Sequence, residues 1–265
     1  MKDVDESIRS LWDKRSRKYK DKVAGVLPKS FPFSVNQYIN NWEFDLAEDL
    51  IRNEPGYKIL DLGCGYGRLS KRILKKFGKV QALGIDIAKD YVDIYNKNLA
   101  PRGHAFVGDI RKLPLADKSI NFVLVVTSLM YILRKRNQKK VLREIFRVLK
   151  RGGKLLIIER DISGYNLITL WGLISKIRGR KNAEITAVGF DPKDMMGLIK
   201  NAGGVVESKF ATPFFTLSLP LLFVLNKFKN KAIINSYLRF AKKIDGLLRK
   251  VLYPSIYIAY IASKK

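Results

Sequence analysis

Apolar residues in this chain follow two periods that alternate. Residues 1–25 mix Trp12 and Tyr19 with many charges and predict a helix lying over the main domain, broken at Phe31-Pro32-Phe33. Over residues 36–52, Ile39, Trp42, Leu46, Leu50 and Ile51 recur at helical spacing, and Pro55-Gly56 ends that helix. Short continuous apolar runs then begin, and helical patterns separate most of them. Residues 58–62 lead to a helix with Leu69, Ile73, Leu74 and Phe77 on one face and Gly78 placed as its C-cap. Residues 80–86 lead to a helix over 88–98. Residues 105–108 form a shorter third run. Residues 120–127 form a fourth, apolar throughout, as in a central strand covered on both faces. Residues 136–150 turn Val141, Leu142, Ile145, Phe146 and Leu149 inward, and Arg151-Gly152-Gly153 stops that helix before a fifth strand at 154–159. Strands alternating with helices predict an α/β fold on a mostly parallel sheet.

The chemistry gathers where the runs end. The first closes on Asp61-Leu62-Gly63-Cys64-Gly65-Tyr66-Gly67, with a glycine at every second position before the helix. Glycine admits positive φ and places no Cβ between backbone and ligand, and the free N–H groups of a helix start lie close by. The dinucleotide spacing G-x-G-x-x-G fails at Arg68, and the nucleotide-triphosphate loop is absent. Asp61 suits a ligand with an amino group rather than a pyrophosphate. The second run ends in Asp86, 25 residues after Asp61. Parallel strands joined by a helix set both acids on one sheet edge. There Asp86 either accepts both hydroxyls of a ribose or caps the following helix.

The D-x-G-x-G-x-G stretch resembles the first motif of class I S-adenosylmethionine-dependent methyltransferases. The stretch from Leu142 to Gly153 resembles that family's helix before strand five. Residues 58–159 match the cofactor-binding half in order and spacing, nearest to the ubiquinone/menaquinone-biosynthesis type. The resemblance implies a Rossmann-like seven-stranded sheet, mostly parallel with the last strand antiparallel, helices on both faces and an added helical cap. It implies S-adenosylmethionine as cofactor. Asp61, Gly63, Cys64, Gly65 and Gly67 would then form the turn that holds the methionine portion. Asp86 and Ile87 would serve the ribose and adenine side, Asp109 and Ile110 the adenine, and Thr127 and Ser128 the methyl donor. Because the sulfonium methyl is already activated, positioning and desolvation suffice for much of the catalysis, and the lack of a signature for a catalytic base is expected.

The last third departs from the minimal fold. Residues 161–189 are an insertion carrying Tyr165, Leu167, Ile168, Leu170, Trp171, Leu173 and Ile174. Residues 191–202 read as a helix capped by Asp191 with Pro192 first, 204–211 as a sixth strand and 257–262 as the closing one. Between the last two lies an apolar stretch from Phe214 to Leu225. A basic amphipathic stretch follows, with a single acid, Asp245. It reads as a lid, as an element lying on anionic lipid, or as an RNA-binding surface. The chain divides into an N-terminal helical segment, 1–55, covering the cofactor site, and a methyltransferase domain, 56–265, with cap insertions at 160–190 and 213–253.

Composition narrows the partners. The formal charge of +27 over 265 residues draws anions, whether nucleic acid, lipid or acidic protein. The charge is spread along the chain, so no basic tail is expected. One cysteine excludes an intrachain disulfide, and one histidine with that cysteine excludes a soft-ligand metal cluster. The residues after the fourth strand, Val126-Thr127-Ser128-Leu129-Met130, lack the turn of adenine or glutamine amino methyltransferases. Cys64 sits in the glycine turn as a small buried residue, and His104 at a strand edge. Neither a signal peptide nor an uncharged run of 18 apolar residues appears, so a cytoplasmic protein, able to touch a membrane peripherally, is expected. Abundant lysine and only three glutamines lean toward a thermophile. Arg68 faces either solvent or the cofactor carboxylate. Tyr19 and Tyr38 either close over the cofactor or simply pack. Glu159, Arg160 and Asp161 either orient an acceptor or form a solvated loop. The favoured function is methyl transfer to a small hydrophobic or lipid-like acceptor. A tRNA or rRNA methyltransferase and a non-enzymatic binding module that kept the fold are the alternatives.

Overall fold

The computed structural model describes residues 2–28, 31–162, 187–228, 230–248, 251 and 254–265. The seven side chains singled out between Tyr165 and Ile174 lie outside the described residues. Strands β1 (Lys58–Leu62), β2 (Gln81–Asp86), β3 (Gly103–Val107), β4 (Ile120–Val126), β5 (Leu149–Arg160), β6 (Gly204–Ala211) and β7 (Tyr257–Lys264) form one sheet in the order β3-β2-β1-β4-β5-β7-β6. The first five run parallel, and β7 is antiparallel to both β5 and β6. The chain builds outward from β1 to β3, then crosses to β4 on the other side. This reversal opens a crevice beyond the carboxyl ends of β1 and β4, where such sheets bind ligands.

Helices cover both faces because the strands are apolar on both. Helices α1 (Lys2–Tyr19), α2 (Phe33–Glu48), α3 (Arg68–Lys76), α4 (Lys89–Leu99), α5 (Lys135–Val148) and α6 (Pro192–Asn201) precede β6. On one side of the sheet α2, α3 and α4 share a core with Ile59, Phe122 and Leu156; on the other α5 and α6 pack on Leu60, Val123 and Ile157. Asp191 caps α6 as its sequence predicts, accepting from Lys193 N–H at 2.7 Å.

Several boundaries differ from the sequence reading; α5 ends at Val148 and β5 already begins at Leu149, not at 154. Helix α2 starts at Phe33, with Pro32 as N-cap, and ends at Glu48, well before Pro55-Gly56. Gly78 does not cap α3: the chain already leaves the helix at Phe77 in an extended conformation. Apolar spacing marks a buried face, and such a face continues past the helix whenever the following loop is also buried, as Ile51 is.

After β6 come α7 (Pro213–Leu217), α8 (Leu219–Lys227) and α9 (Lys231–Leu247). Asp245, the acid of the basic stretch, points inward. Its carboxylate accepts the N–H groups of Phe214 and Phe215 at 2.8 and 3.1 Å and the Tyr38 hydroxyl at 3.1 Å. Tyr38 also stacks on Phe215 at 4.1 Å. Thus Tyr38 joins α2 to the cap instead of closing over the crevice. Among the described residues, no helix is long and apolar enough to cross a membrane.

Candidate functional site

The glycine turn leaves β1 at the crevice. Gly63 N–H donates to Ile85 O at 2.7 Å, which ties the turn to β2. Gly63 has φ +70°, and a Cβ there would lie 2.1 Å from Ser128 Oγ. A side chain is therefore barred both by backbone conformation and by the loop after β4. Gly67, at φ +82°, begins α3 over the ring of Tyr95, 2.7 Å from where a Cβ would sit.

Asp86 does not cap α4, whose N-cap is Ala88 without a side-chain hydrogen bond. It is buried at the end of β2, and its carboxylate accepts Gly65 N–H at 2.8 Å and Ala88 N–H at 2.9 Å. Burial pushes its pKa up, and these donors pull it back only in part. Two oxygens carry about four acceptor sites, so the backbone donors leave capacity for a ligand's hydroxyl. Asp109 sits across the crevice. Burial alone would raise its pKa, but the Arg111 guanidinium, 2.6 Å away, and Arg111 N–H hold the carboxyl below the usual range.

One cavity is lined by Gly63, Gly65, Asp86, Ile87, Asp109, Ile110, Thr127 and Ser128. Asp61, Cys64 and Gly67 are not among its lining and stand behind it. Asp61 is buried and accepts Ser70 Oγ–H at 2.7 Å; burial pushes its carboxyl up to about 6. Cys64 packs over Gly84 of β2, and burial pushes its thiol well up, away from a reactive thiolate.

Other walls come from residues the sequence reading left out of the site. Helix α1 supplies Ile8 and Trp12, and Val26 follows it. Tyr91, Tyr131 and Ile132 complete the apolar lining. Trp12 meets Tyr131 edge-on at 5.1 Å and Tyr91 at 6.4 Å. The Arg15 guanidinium lies 4.8 Å from the Trp12 ring centroid and donates to Ala24 O and Leu27 O, which fixes the ring and the turn together. A lone tryptophan among charges was the available signal for this wall. Tyr19 is not part of it. Arg68 faces neither solvent nor the cavity: it pairs with Glu43 of α2 at 2.6 Å and hydrogen-bonds Asn40.

Glu159 is not on a solvated loop. It is buried at the end of β5, where its carboxylate accepts the N–H groups of Ser128, Leu129 and Met130 at 2.9, 2.7 and 3.2 Å. It thereby holds the loop that carries Thr127, Ser128 and Tyr131. Thr127 itself sits at φ +50°, rare for a β-branched residue, which the surrounding hydrogen bonds sustain. Burial pushes the Glu159 carboxyl up to about 8, against the pull of the three donors. The folded chain then keeps a proton that the unfolded chain loses above about 4.5. Stability from this group is therefore full at low pH and falls by about 1.4 kcal/mol per pH unit between those values. Urea unfolding of wild type and Glu159→Gln across that window should show the extra downward slope only in wild type. Equal slopes would mean the carboxyl is ionised throughout.

Residues 59–153 match the family model of a methyltransferase domain. Over 149 residues the chain is 30% identical to demethylmenaquinone methyltransferase of Thermotoga maritima, covering 56% of this chain and 59% of that protein. Over 139 residues it is 31% identical to a sterol 4-C-methyltransferase of Caenorhabditis elegans, covering 51% of this chain and 40% of the other. The chain thus spans about half the length of the curated relatives it matches. Among solved structures, the [4+2]-cyclase SpnF superposes with a TM-score of 0.64 at 18% identity, covering 97% of this chain and 94% of that one. That likeness is one of fold, and a cyclase shares it, so the fold by itself does not imply methyl transfer.

Proposed function

We propose that this chain is a class I S-adenosylmethionine-dependent methyltransferase and that it transfers a methyl group to a small apolar, lipid-like acceptor. The residues present suit that cofactor. Asp86 keeps acceptor capacity for a ribose hydroxyl, and Asp109 offers an acceptor to an amino group. When bound, S-adenosylmethionine supplies a methyl group on a sulfonium, already activated for in-line displacement.

The chain's own part is to bind, align and exclude water. Asp86 and Ile87 hold one end of the cofactor, and Gly63 and Gly65 let the backbone approach it. Trp12, Tyr91 and Tyr131 turn aromatic surface into the cavity, which favours a cationic centre and an apolar acceptor alike. Glu159 acts as a positioning residue: it fixes Ser128 and Tyr131 without touching the cavity.

The observation that carries the acceptor class is the wall formed by Ile8, Trp12, Val26, Tyr131 and Ile132, which contains no charge. The quinone and sterol specificities of the two relatives lean the same way. The net charge of +27 favours RNA as the second reading. Incubation with methyl-labelled cofactor, a lipid extract and total RNA separates them. We expect label in the organic phase, insensitive to ribonuclease. Label in RNA would establish the second reading. No transfer, with cofactor binding intact, would leave a binding module.

A further inference from the structure

The cap carries far more exposed apolar surface than its fold requires. Nine of the fifteen large apolar side chains exposed among the described residues fall between Leu217 and Val251. Leu221 and Val224 on α8 and Phe228, its C-cap, are spaced three and four apart and form one stripe; Phe228 is 75% exposed. Ile233, Phe240 and Leu247, seven apart, form a second stripe on α9; Leu247 is 81% exposed. The core of the cap is made by other residues, Leu222, Ile234, Leu238 and Ala241. Phe214 of α7 joins Phe240 at 5.7 Å, and Leu217, one turn on, extends that edge.

The charge on this surface has one sign. Lys227, Lys231, Arg239 and Lys243 are exposed, and Asp245, the acid within α7–α9, is buried on backbone N–H groups. An ordinary solvated helix intersperses acids with bases, and this one does not. The like charges also disfavour pairing with a second copy. Apolar stripes bordered by cations complement anionic headgroups above acyl chains. Topology adds a reason for the contact. Strand β6 runs parallel to β5, so the cap leaves from Ala211 and returns to Tyr257 at the rim that carries Asp86 and Thr127.

We propose that α7–α9 dock this protein on an anionic lipid bilayer, with the stripes entering the headgroup–acyl boundary and the cations meeting lipid phosphates. The docking would serve the proposed lipid-like acceptor by bringing the crevice to the surface where such a compound is dissolved. It rests on that reading for its purpose only, because docking is measured without cofactor.

The test is flotation of the full chain with vesicles of phosphatidylglycerol and phosphatidylcholine, against phosphatidylcholine alone. Retention on the anionic vesicles, weakened by salt, is expected. Phe228→Ser and Leu247→Ser should each weaken it about tenfold, the cost of withdrawing one large apolar side chain from the boundary. Both side chains are exposed, so the folded state should survive, and an unchanged melting temperature would verify that. Absence of retention at low salt overturns the proposal, as does retention that a variant carrying both Phe228→Ser and Leu247→Ser leaves unchanged. A dimer in sedimentation that the same variant dissolves, with no vesicle binding, would assign the surface to self-association instead. Loss of docking with methyl transfer to a soluble acceptor intact would separate this failure from failure of the proposed function.

Discussion

Asp86→Ala is expected to weaken S-adenosylmethionine binding at least about a hundredfold. Hydrogen bonds from a ligand to a buried carboxylate contribute about 1.5–3 kcal/mol each, and a ribose offers two hydroxyls. The substitution acts a second way. Gly65 and Ala88 lose their acceptor, so the glycine turn loses its fixed position against β2. Asp86→Asn separates the two effects, because its amide oxygen still accepts one N–H while the charge is gone. Calorimetry with the cofactor and with its demethylated product should rank wild type above Asp86→Asn above Asp86→Ala. A dissociation constant for Asp86→Ala within threefold of wild type, in a protein that melts normally, would sink the site assignment.

The largest loss of stability should come from Arg68→Ala. Glu43 is fully buried on α2, and its partner across the helix interface is Arg68, whose side chain is itself 11% exposed. No other hydrogen-bond donor satisfies Glu43 among the described residues. Burial pushes the Glu43 carboxyl up, and Arg68 pulls it back toward the ionised form. Removing one partner of such a pair typically costs about 3–5 kcal/mol, because the remaining charge stays desolvated. That is a large part of a domain's net stability of about 5–15 kcal/mol. The double substitution Glu43→Leu with Arg68→Met should recover most of it, since the cost lies in the orphaned charge and not in the lost attraction. Urea unfolding of the two variants decides the matter. A loss below about 1 kcal/mol in Arg68→Ala would show that Glu43 takes up a proton or reaches water without strain. The pair also ties α2 to the first turn of α3, directly after Gly67, so its loss should loosen the glycine turn.

Local chemistry fixed the architecture in advance. Each strand of the cofactor-binding half ends its apolar run at a turn signal, and each helix carries its own face. The period of side chains depends on backbone geometry alone, so β1 to β5 and the helices between them could be read directly. Gly63 and Asp86 were legible for the same reason. A glycine run after a strand, and an acid one strand later, are short-range patterns whose meaning is set by parallel topology. The resemblance supplied seven strands with the last antiparallel, but only the structure shows that β7 slots between β5 and β6.

What the residue order could not disclose was which charges are buried. Glu43, Glu159 and Asp245 look like solvated acids in the sequence, yet each is enclosed and meets groups distant in the chain: an ion pair with Arg68, the amides after β4, and the start of α7 with Tyr38. Trp12 becomes a wall of the cavity only because α1 folds back toward Tyr91 and Tyr131. Thr127 takes a left-handed backbone that its own side chain opposes. Propensity and period describe a residue with its near neighbours. Desolvation, by contrast, depends on everything that packs around a group, and that is settled only when the chain closes on itself.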